Sequence, residues 1–354
     1  MSPPVTVVVG AGLIGASIGH ALSAAGYRVH LVDLTPSHAH VAASLGAGTA
    51  EPADPDQVGL VVVAVPPRAI ADAVSQSLHD FPAATVTDVG SVKAGVLAAL
   101  WDRPIDLARY VGSHPMAGSQ HSGPVTADAE LFVDRTWVVT PHRRSSAAAI
   151  ATVVDLVRAC RARVVTLDVD DHDAAVARVS HLPHLMSVLM AGHLTTVPAD
   201  DLLLAGQGLR DVTRIAGSDP GLWQQIIGAN AGAVLQELQG VAAGLDRLIA
   251  AVQAAPAVGD LRTLLERGVE GTQRIPGKHG APAVSYEQVV VVIPDAPGAL
   301  ARLFADVDAA GVNVEDIAIE HDAARQVGYL TLSVRPDRTE ELGVVMRDGG
   351  WTVV

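Results

Sequence analysis

The chain has a single cysteine, Cys160, among 354 residues. One cysteine excludes an intrachain disulfide and suits a reducing compartment, so a cytoplasmic protein is expected. Aromatic residues make up only 3% of the sequence, while hydrophobic residues reach 49% and the mean hydropathy is +0.32. Any core must therefore be built from alanine, valine, leucine and isoleucine. Long apolar runs are also missing. The longest, Val58 to Pro67, falls well short of the ~20 residues that cross a bilayer as a helix, so no membrane partner is expected. The first ten residues have neither a basic start nor an apolar stretch followed by a cleavage site, and no secretory leader is expected from them. Positive charge is scarce. Lys and Arg number 24 against 38 Asp and Glu, a net charge of -14. So acidic a chain is not expected to bind nucleic acid. An anionic ligand would have to be caught by locally placed arginines.

What is present begins at once. Val5 to Val9 is a continuous β-branched run, the pattern of a strand buried on both faces. It runs into Gly10-Ala11-Gly12-Leu13-Ile14-Gly15, an Ala-rich helical stretch from Ala16 to Ala25, and a second strand, Arg28 to Val32, ended by Asp33. Strand, glycine turn, helix, strand and acid, with the acid 18 residues after the third glycine, form a dinucleotide-binding fingerprint. Gly10 makes the tight turn, Gly12 admits a pyrophosphate, and Gly15 lets helix and sheet pack closely. The helix start at Leu13 and Ile14 faces the phosphates. The alternative is a glycine-rich structural turn. Asp33 would hold both ribose hydroxyls and repel a 2′-phosphate, which favours NAD over NADP.

Further strands are expected at Gly59 to Val65, stopped by Pro66-Pro67, and at Thr85 to Val89, followed by Gly90-Ser91-Val92-Lys93. Arg109 to Gly112 leads into His114, within the string VGSHPMAGSQ from Val111 to Gln120. Parallel strands present their carboxyl ends on one edge, where ligands bind. Val65-Pro66, Ser91 and His114 should share that edge with the glycine turn. His114 is flanked by small residues and titrates near neutrality, which makes it the candidate proton acceptor. The bland alternative is a turn histidine that caps a strand. Ser91 is expected within reach of the substrate or of His114; the alternative is a plain helix N-cap. Lys93 reads as surface or structural. Strands Thr136 to Thr140 and Arg163 to Leu167, around a helix from Ala147 to Ala162, complete a doubly wound α/β domain over residues 1–167.

Asp168-Val169-Asp170-Asp171-His172-Asp173 opens a helical region. Its carboxylates read as dipole partners at a helix start, and no metal site is expected. Ala174 to Gln253 has helical periodicity with no strand signal, and residues 168–275 are expected to form an all-helical domain. Arg210 and Arg214, four residues apart, should project from one helix face as a carboxylate trap. The alternative is a surface pair with Asp211 as local partner. Trp223 to Gln253 reads as one long apolar helix suited to packing against a second subunit. Gln273 to Ser285 reads as a linker. From residue 284 to 354 the pattern is βαββαβ, a ferredoxin-like α+β domain. It carries 12 acidic and 5 basic residues, half of the chain's net charge. Its first strand ends at Asp295-Ala296-Pro297-Gly298-Ala299-Leu300. Gly298 would let a ligand approach the amides at the start of the next helix, and Asn313 could meet an amino group. The alternative is an ordinary strand-to-helix turn in a module that pairs subunits.

Taken together, DVGSVK (Asp88 to Lys93), GSHPMAG (Gly112 to Gly118), SHLPH (Ser180 to His184) and RDVTRIAGSDPGLW (Arg210 to Trp223) resemble the prephenate/arogenate dehydrogenase family. The resemblance covers essentially the whole chain, and the tail from Val289 looks like an ACT domain. It implies a Rossmann-type NAD-binding domain, a helical dimerisation domain and a homodimer. The implied reaction is oxidative decarboxylation of prephenate or arogenate in tyrosine biosynthesis. It implies His114 as the catalytic histidine, Ser91 as the serine beside it, and Arg214 as the anchor of a substrate carboxylate. Arg210, His184, Ser119, Gln120 and Trp223 match lesser active-site or lining positions. Gln120 stands where some members carry an acid. Asp173 matches an acid that can reach across the dimer, and the ACT resemblance implies a regulatory amino acid, for which tyrosine, the pathway's end product, is the expected effector. Two other readings compete. A hydroxy-acid dehydrogenase would need a lysine base on the first long helix, and Ala174 to Leu204 has none. A non-catalytic amino-acid sensor would not need Asp33, Ser91, His114 and Arg214.

Overall fold

The structure is a computed structural model that describes residues 3–118, 123–254, 259–275, 286–322 and 327–354. The chain divides into two compact units, Met1–Ala254 and Ala255–Val354.

The first unit opens with β1 (Val5–Val9), α1 (Leu13–Ala24), β2 (Val29–Val32) and α2 (Pro36–Ser44). It continues through β3 (Val58–Val63), α3 (Ile70–Asp80), β4 (Thr85–Asp88) and α4 (Ala94–Trp101). These strands form a parallel sheet in the order β2-β1-β3-β4, with Val7 opposite His30 on one side and Val61 on the other. Alternation along β1 and β3 builds a core on each face, as a doubly wound sheet requires. Val8, Leu60 and Val62 pack with Ile18 and Leu22 of α1, while Val7, Val61 and Val63 pack with Ile70, Val74 and Leu78 of α3.

The next strands depart from the expected pattern. β5 (Gly112–Pro115), β6 (Thr136–Thr140) and β7 (Arg163–Thr166), with α5 (Ala147–Ala159) before β7, form a second sheet in which β5 runs antiparallel to β6. A single bridge, Val86 to Tyr110, ties it to β4. His114 therefore does not follow a parallel strand. It lies inside β5, opposite Val138. A parallel return needs a crossover element. Among the described residues between β5 and β6 only a single 3-10 turn, Pro124–Thr126, occurs.

The helical region comprises α6 (Val169–Val176), a π-turn over Ala177–His181, α7 (Leu182–His193), α8 (Ala199–Leu202), α9 (Gln207–Thr213), α10 (Pro220–Ala229) and α11 (Ala231–Gln253). The single helix expected from Trp223 to Gln253 is broken at Asn230, whose φ of -117° and ψ of 27° leave the helical region. Its side-chain amide donates to the Asp173 carbonyl at 2.8 Å, a buried tertiary bond that no apolar periodicity reveals. α11 leaves Leu235, Val241, Leu245, Leu248, Ile249 and Val252 exposed.

The second unit begins with α12 (Gly259–Gln273), so the expected linker starts at the end of a helix, and its residues 276–285 lie outside the described residues. β8 (Glu287–Pro294), α13 (Ala299–Ala309), β9 (Asp316–Asp322), β10 (Val327–Val334), α14 (Thr339–Asp348) and β11 (Thr352–Val353) follow. The sheet order β11-β8-β10-β9, antiparallel throughout, is the ferredoxin-like arrangement. Val289, Val291 and Ile293 alternate inward against Leu303, Leu330 and Met346. Among the described residues no helix is long and apolar enough to cross a membrane.

Candidate active site

The glycine turn after β1 assigns each glycine a separate task. Gly10 has φ of +99°, and a Cβ on it would lie 2.3 Å from the Ala64 carbonyl oxygen. A Cβ on Gly15 would lie 1.8 Å from the Gly10 carbonyl oxygen, so α1 can approach the sheet only with hydrogen there. A Cβ on Gly12 would meet nothing within 4 Å. Gly12 therefore opens a space at the start of α1, whose first amides, at Leu13 and Ile14, have no side-chain cap. Asp33 is held beside it by the amides of Ala11 at 2.7 Å and Thr35 at 2.8 Å. An open cradle at a helix N-terminus with a fixed carboxylate one strand away fits a dinucleotide. Val65 lies against the turn, its Cγ1 3.2 Å from the Gly10 Cβ position, and Pro66 precedes a 3-10 turn leading to α3.

His114 is half-buried on β5, and its Nδ1 lies 3.0 Å from Nε2 of His172. Nδ1 of His172, which is fully buried, lies 2.8 Å from Oδ1 of Asp173. The same carboxylate accepts the amides of Lys93 at 2.9 Å and Ala94 at 2.8 Å, where α4 begins. Burial holds the His114 pKa well below 6.5, and the nearby Lys93 ammonium pushes in the same direction. Its ground state is a neutral imidazole, the form a proton acceptor needs. At Asp173 burial raises the pKa, but hydrogen bonds from His172, Ala94 and Lys93 outweigh it and keep the carboxyl below its ordinary value. Both carboxylate oxygens are thus engaged by groups of the same chain.

Lys93 is not on the surface. It is 1% exposed, paired with the buried Asp88, and donates to the Ser113 carbonyl at 2.8 Å. Tyr110 donates to Asp88 at 2.8 Å, and burial together with that carboxylate holds its hydroxyl well above its usual pKa. This dry cluster ties the β4–α4 turn to the strand that carries His114. Ser91, on the same turn, makes no hydrogen bond to His114; it lines a cleft with Pro67, Arg68, Val92, Gly95 and Ala229.

The helices bring a second group together. His184 on α7 is buried, and its ring stacks on Trp223 at 3.5 Å between centroids. Burial lowers its pKa, while a hydrogen bond to the Ile215 carbonyl opposes this. Ile215 follows Arg214 in the 3-10 turn Arg214–Gly217, so the His184–Trp223 stack abuts the segment that carries Arg214. Arg210 and Arg214 are both exposed, and α9 ends one residue before Arg214. Asp211 accepts from Gln207 at 2.8 Å. His181, missed from sequence as a site residue, faces Trp223 edge-on, accepts from Asn230 at 3.2 Å, and has its pKa pulled down to about 4, chiefly by burial. Asn230 joins this group to Asp173 and hence to His114. Its signal was a polar residue inside an apolar run. Ser119 and Gln120 lie outside the described residues.

In the second unit Gly298 has φ of +85° and open space at its Cβ position, at the start of α13. Asp295, Ala299 and Leu300 flank it. The Asn313 side-chain amide donates to Glu315 at 2.5 Å.

Fold and site together define a nicotinamide-dinucleotide-dependent dehydrogenase with a histidine at its centre. Comparison with known proteins narrows this. Residues 18–166 match the family described as the prephenate dehydrogenase nucleotide-binding domain, and residues 168–266 match the prephenate dehydrogenase dimerization domain. A probable prephenate dehydrogenase, NovF, of Streptomyces niveus is 35% identical over 98% of both chains. The crystal structure of prephenate dehydrogenase from Aquifex aeolicus with hydroxyphenyl propionate and NAD+ aligns with a TM-score of 0.70 at 27% identity, covering 77% of this chain and 99% of that one. A Synechocystis arogenate dehydrogenase aligns with a TM-score of 0.64 at 27% identity, covering 76% and 99%. The chain belongs to the prephenate dehydrogenase family of NAD-dependent oxidoreductases.

Proposed function

We propose that this enzyme converts prephenate to 4-hydroxyphenylpyruvate, with His114 as the proton acceptor. The observation that carries the proposal is the neutral, half-buried imidazole of His114, held on β5 in the same compact unit as the dinucleotide cradle. NAD, when bound, supplies the hydride acceptor, and Gly12, Leu13, Ile14 and Asp33 would hold it. The substrate hydroxyl donates its proton to His114 as the carbinol carbon loses hydride. The bond to the ring carboxylate then breaks, carbon dioxide leaves, and its electron pair makes the ring aromatic. The proton returns from His114 to the same oxygen, now a phenol. Arg214, with Arg210 nearby, binds a substrate carboxylate, while His184 and Trp223 wall the ring. Ser91 lines the approach from the β4–α4 turn. The decisive test mixes protein and NAD with prephenate or arogenate and follows NADH by its near-ultraviolet absorbance. Faster turnover of arogenate would assign the enzyme to the amino-bearing substrate instead.

The exposed apolar stripe of α11 supports a homodimer, and the single buried cysteine supports a cytoplasmic setting. The βαββαβ unit is read as an ACT domain that binds tyrosine at Gly298, Ala299 and Leu300, with Asp295 and Asn313 at its rim. Inhibition by such binding requires different affinities for two enzyme states. Removing residues 284–354 should keep activity and abolish inhibition by tyrosine. Equal, competitive inhibition of both forms would place tyrosine at the active site and end this reading.

A further inference from the structure

Asp173 receives three N–H groups: Lys93 N at 2.9 Å and His172 Nδ1 at 2.8 Å on one oxygen, and Ala94 N at 2.8 Å on the other. An ionised carboxylate only accepts. Nδ1 of His172 must therefore carry the hydrogen, and in neutral His172 that leaves a lone pair on Nε2. This lone pair lies 3.0 Å from Nδ1 of His114. Two acceptors cannot share that contact, so Nδ1 of His114 donates. Its other nitrogen, Nε2, is then bare. The direction of every hydrogen in the chain follows from the carboxylate at its far end.

His172 is 0% exposed and Asp173 5%, so water does not compete for these bonds. The carboxylate is fixed by the start of α4, and the Asp173 carbonyl by Asn230. We propose that His172 and Asp173 are positioning residues: they hold His114 in the tautomer whose Nε2 accepts the substrate proton, and they offset the charge His114 then gains. This rests on the assignment of His114 as the proton acceptor. When Nε2 takes the proton, His114 becomes an imidazolium beside Lys93 and His181. The opposing charge is the Asp173 carboxylate, reached through His172 without any proton leaving the chain. A neutral base of the other tautomer would present an N–H to the substrate hydroxyl and could not accept from it.

The test reads the tautomer in the resting protein, apart from catalysis. In nitrogen-15 spectra of histidine-labelled protein, signals lost in His114→Ala identify the His114 ring. Wild-type His114 should be protonated on Nδ1 and bare on Nε2. His172→Ala should move it toward the Nε2-protonated form and lower kcat by about 10²-fold, the low end of what a positioned acid–base group contributes. The KM for prephenate and the Kd for NAD should stay within roughly threefold, because His172 is 0% exposed and offers no surface to either ligand. His172→Gln, whose amide oxygen can accept from His114, should recover most of the loss. A wild-type His114 protonated on Nε2 would overturn the proposal even if His172→Ala does not fold. So would a fall in kcat with no change of tautomer, which would make His172 merely structural. Neither result bears on His114 as the base, which fails only if His114→Ala keeps its activity.

Discussion

Replacing Gly15 and Gly12 separately by alanine tests the cofactor cradle, because the same added methyl meets opposite surroundings. At Gly15 the new carbon would start 1.8 Å from the Gly10 carbonyl oxygen and 3.2 Å from Ala64 Cβ. The obstructing oxygen is backbone, pinned in a turn whose amide donates to Val32 at 2.7 Å. Relief requires α1 to move off the sheet, and α1 buries Ala16, Ile18 and Leu22. Overpacking by one methyl costs about 1–3 kcal/mol, and a backbone obstacle puts Gly15→Ala at or above the upper figure. At about 2–4 °C per kcal/mol for a unit of this size, Tm should fall by roughly 6–12 °C. At Gly12 the methyl meets no protein atom within 4 Å, and φ of -75° with ψ of -165° suits alanine. Tm should hardly change. The methyl would instead occupy the space assigned to the pyrophosphate. A clash of about 1–3 kcal/mol there weakens NAD roughly 5–150-fold. Thermal unfolding and NAD titration on both variants separate the effects. Unchanged Tm in Gly15→Ala would refute the packing argument, and unchanged NAD affinity in Gly12→Ala would refute the placement of the pyrophosphate.

Three further outcomes follow from the site. Asp33→Ser removes the carboxylate held by Ala11 and Thr35, so the preference for NAD over NADP in kcat/KM should narrow; an unchanged ratio would place selectivity elsewhere. Arg214→Ala should raise KM for the substrate with kcat less affected, by about 1.5–3 kcal/mol for a charged hydrogen bond; if kcat/KM stays within a few-fold, Arg210 becomes the anchor. As pH falls the kcat/KM profile should keep its full value past pH 6.5 before declining, because burial and the neighbouring Lys93 ammonium lower the His114 pKa and the neutral form is the active one. A limb at or above pH 6.5 would contradict that environment.

Local patterns in the sequence were enough for the first half of the nucleotide-binding domain. The β-branched run, three glycines and Asp33 each act over a few residues, and the structure places them as the spacing implied. The order of elements in the tail was legible for the same reason, since alternation in β8 and β10 and helical periodicity between them are local. Pairing was not. That β5 turns back on β6 depends on a partner more than twenty residues away. The burial of Lys93 was hidden because its compensation is tertiary, from Asp88 below it and the Ser113 carbonyl across the strand. His172 and Asp173 looked like an ordinary acidic helix start, and only the folded chain turns them toward His114 and α4. Asn230 was legible in principle, as an amide in an apolar run, but its partners at Asp173 and His181 were not.

The central claim is that His114 accepts the substrate proton, and single-turnover reduction of NAD by His114→Ala with prephenate tests it most directly. The chemical step should slow by roughly 10²–10⁴-fold, the usual contribution of a positioned base, while the protein stays folded and binds NAD as the wild type does. A folded His114→Ala protein that reduces NAD at a near-normal rate would contradict the account and assign the base to another residue.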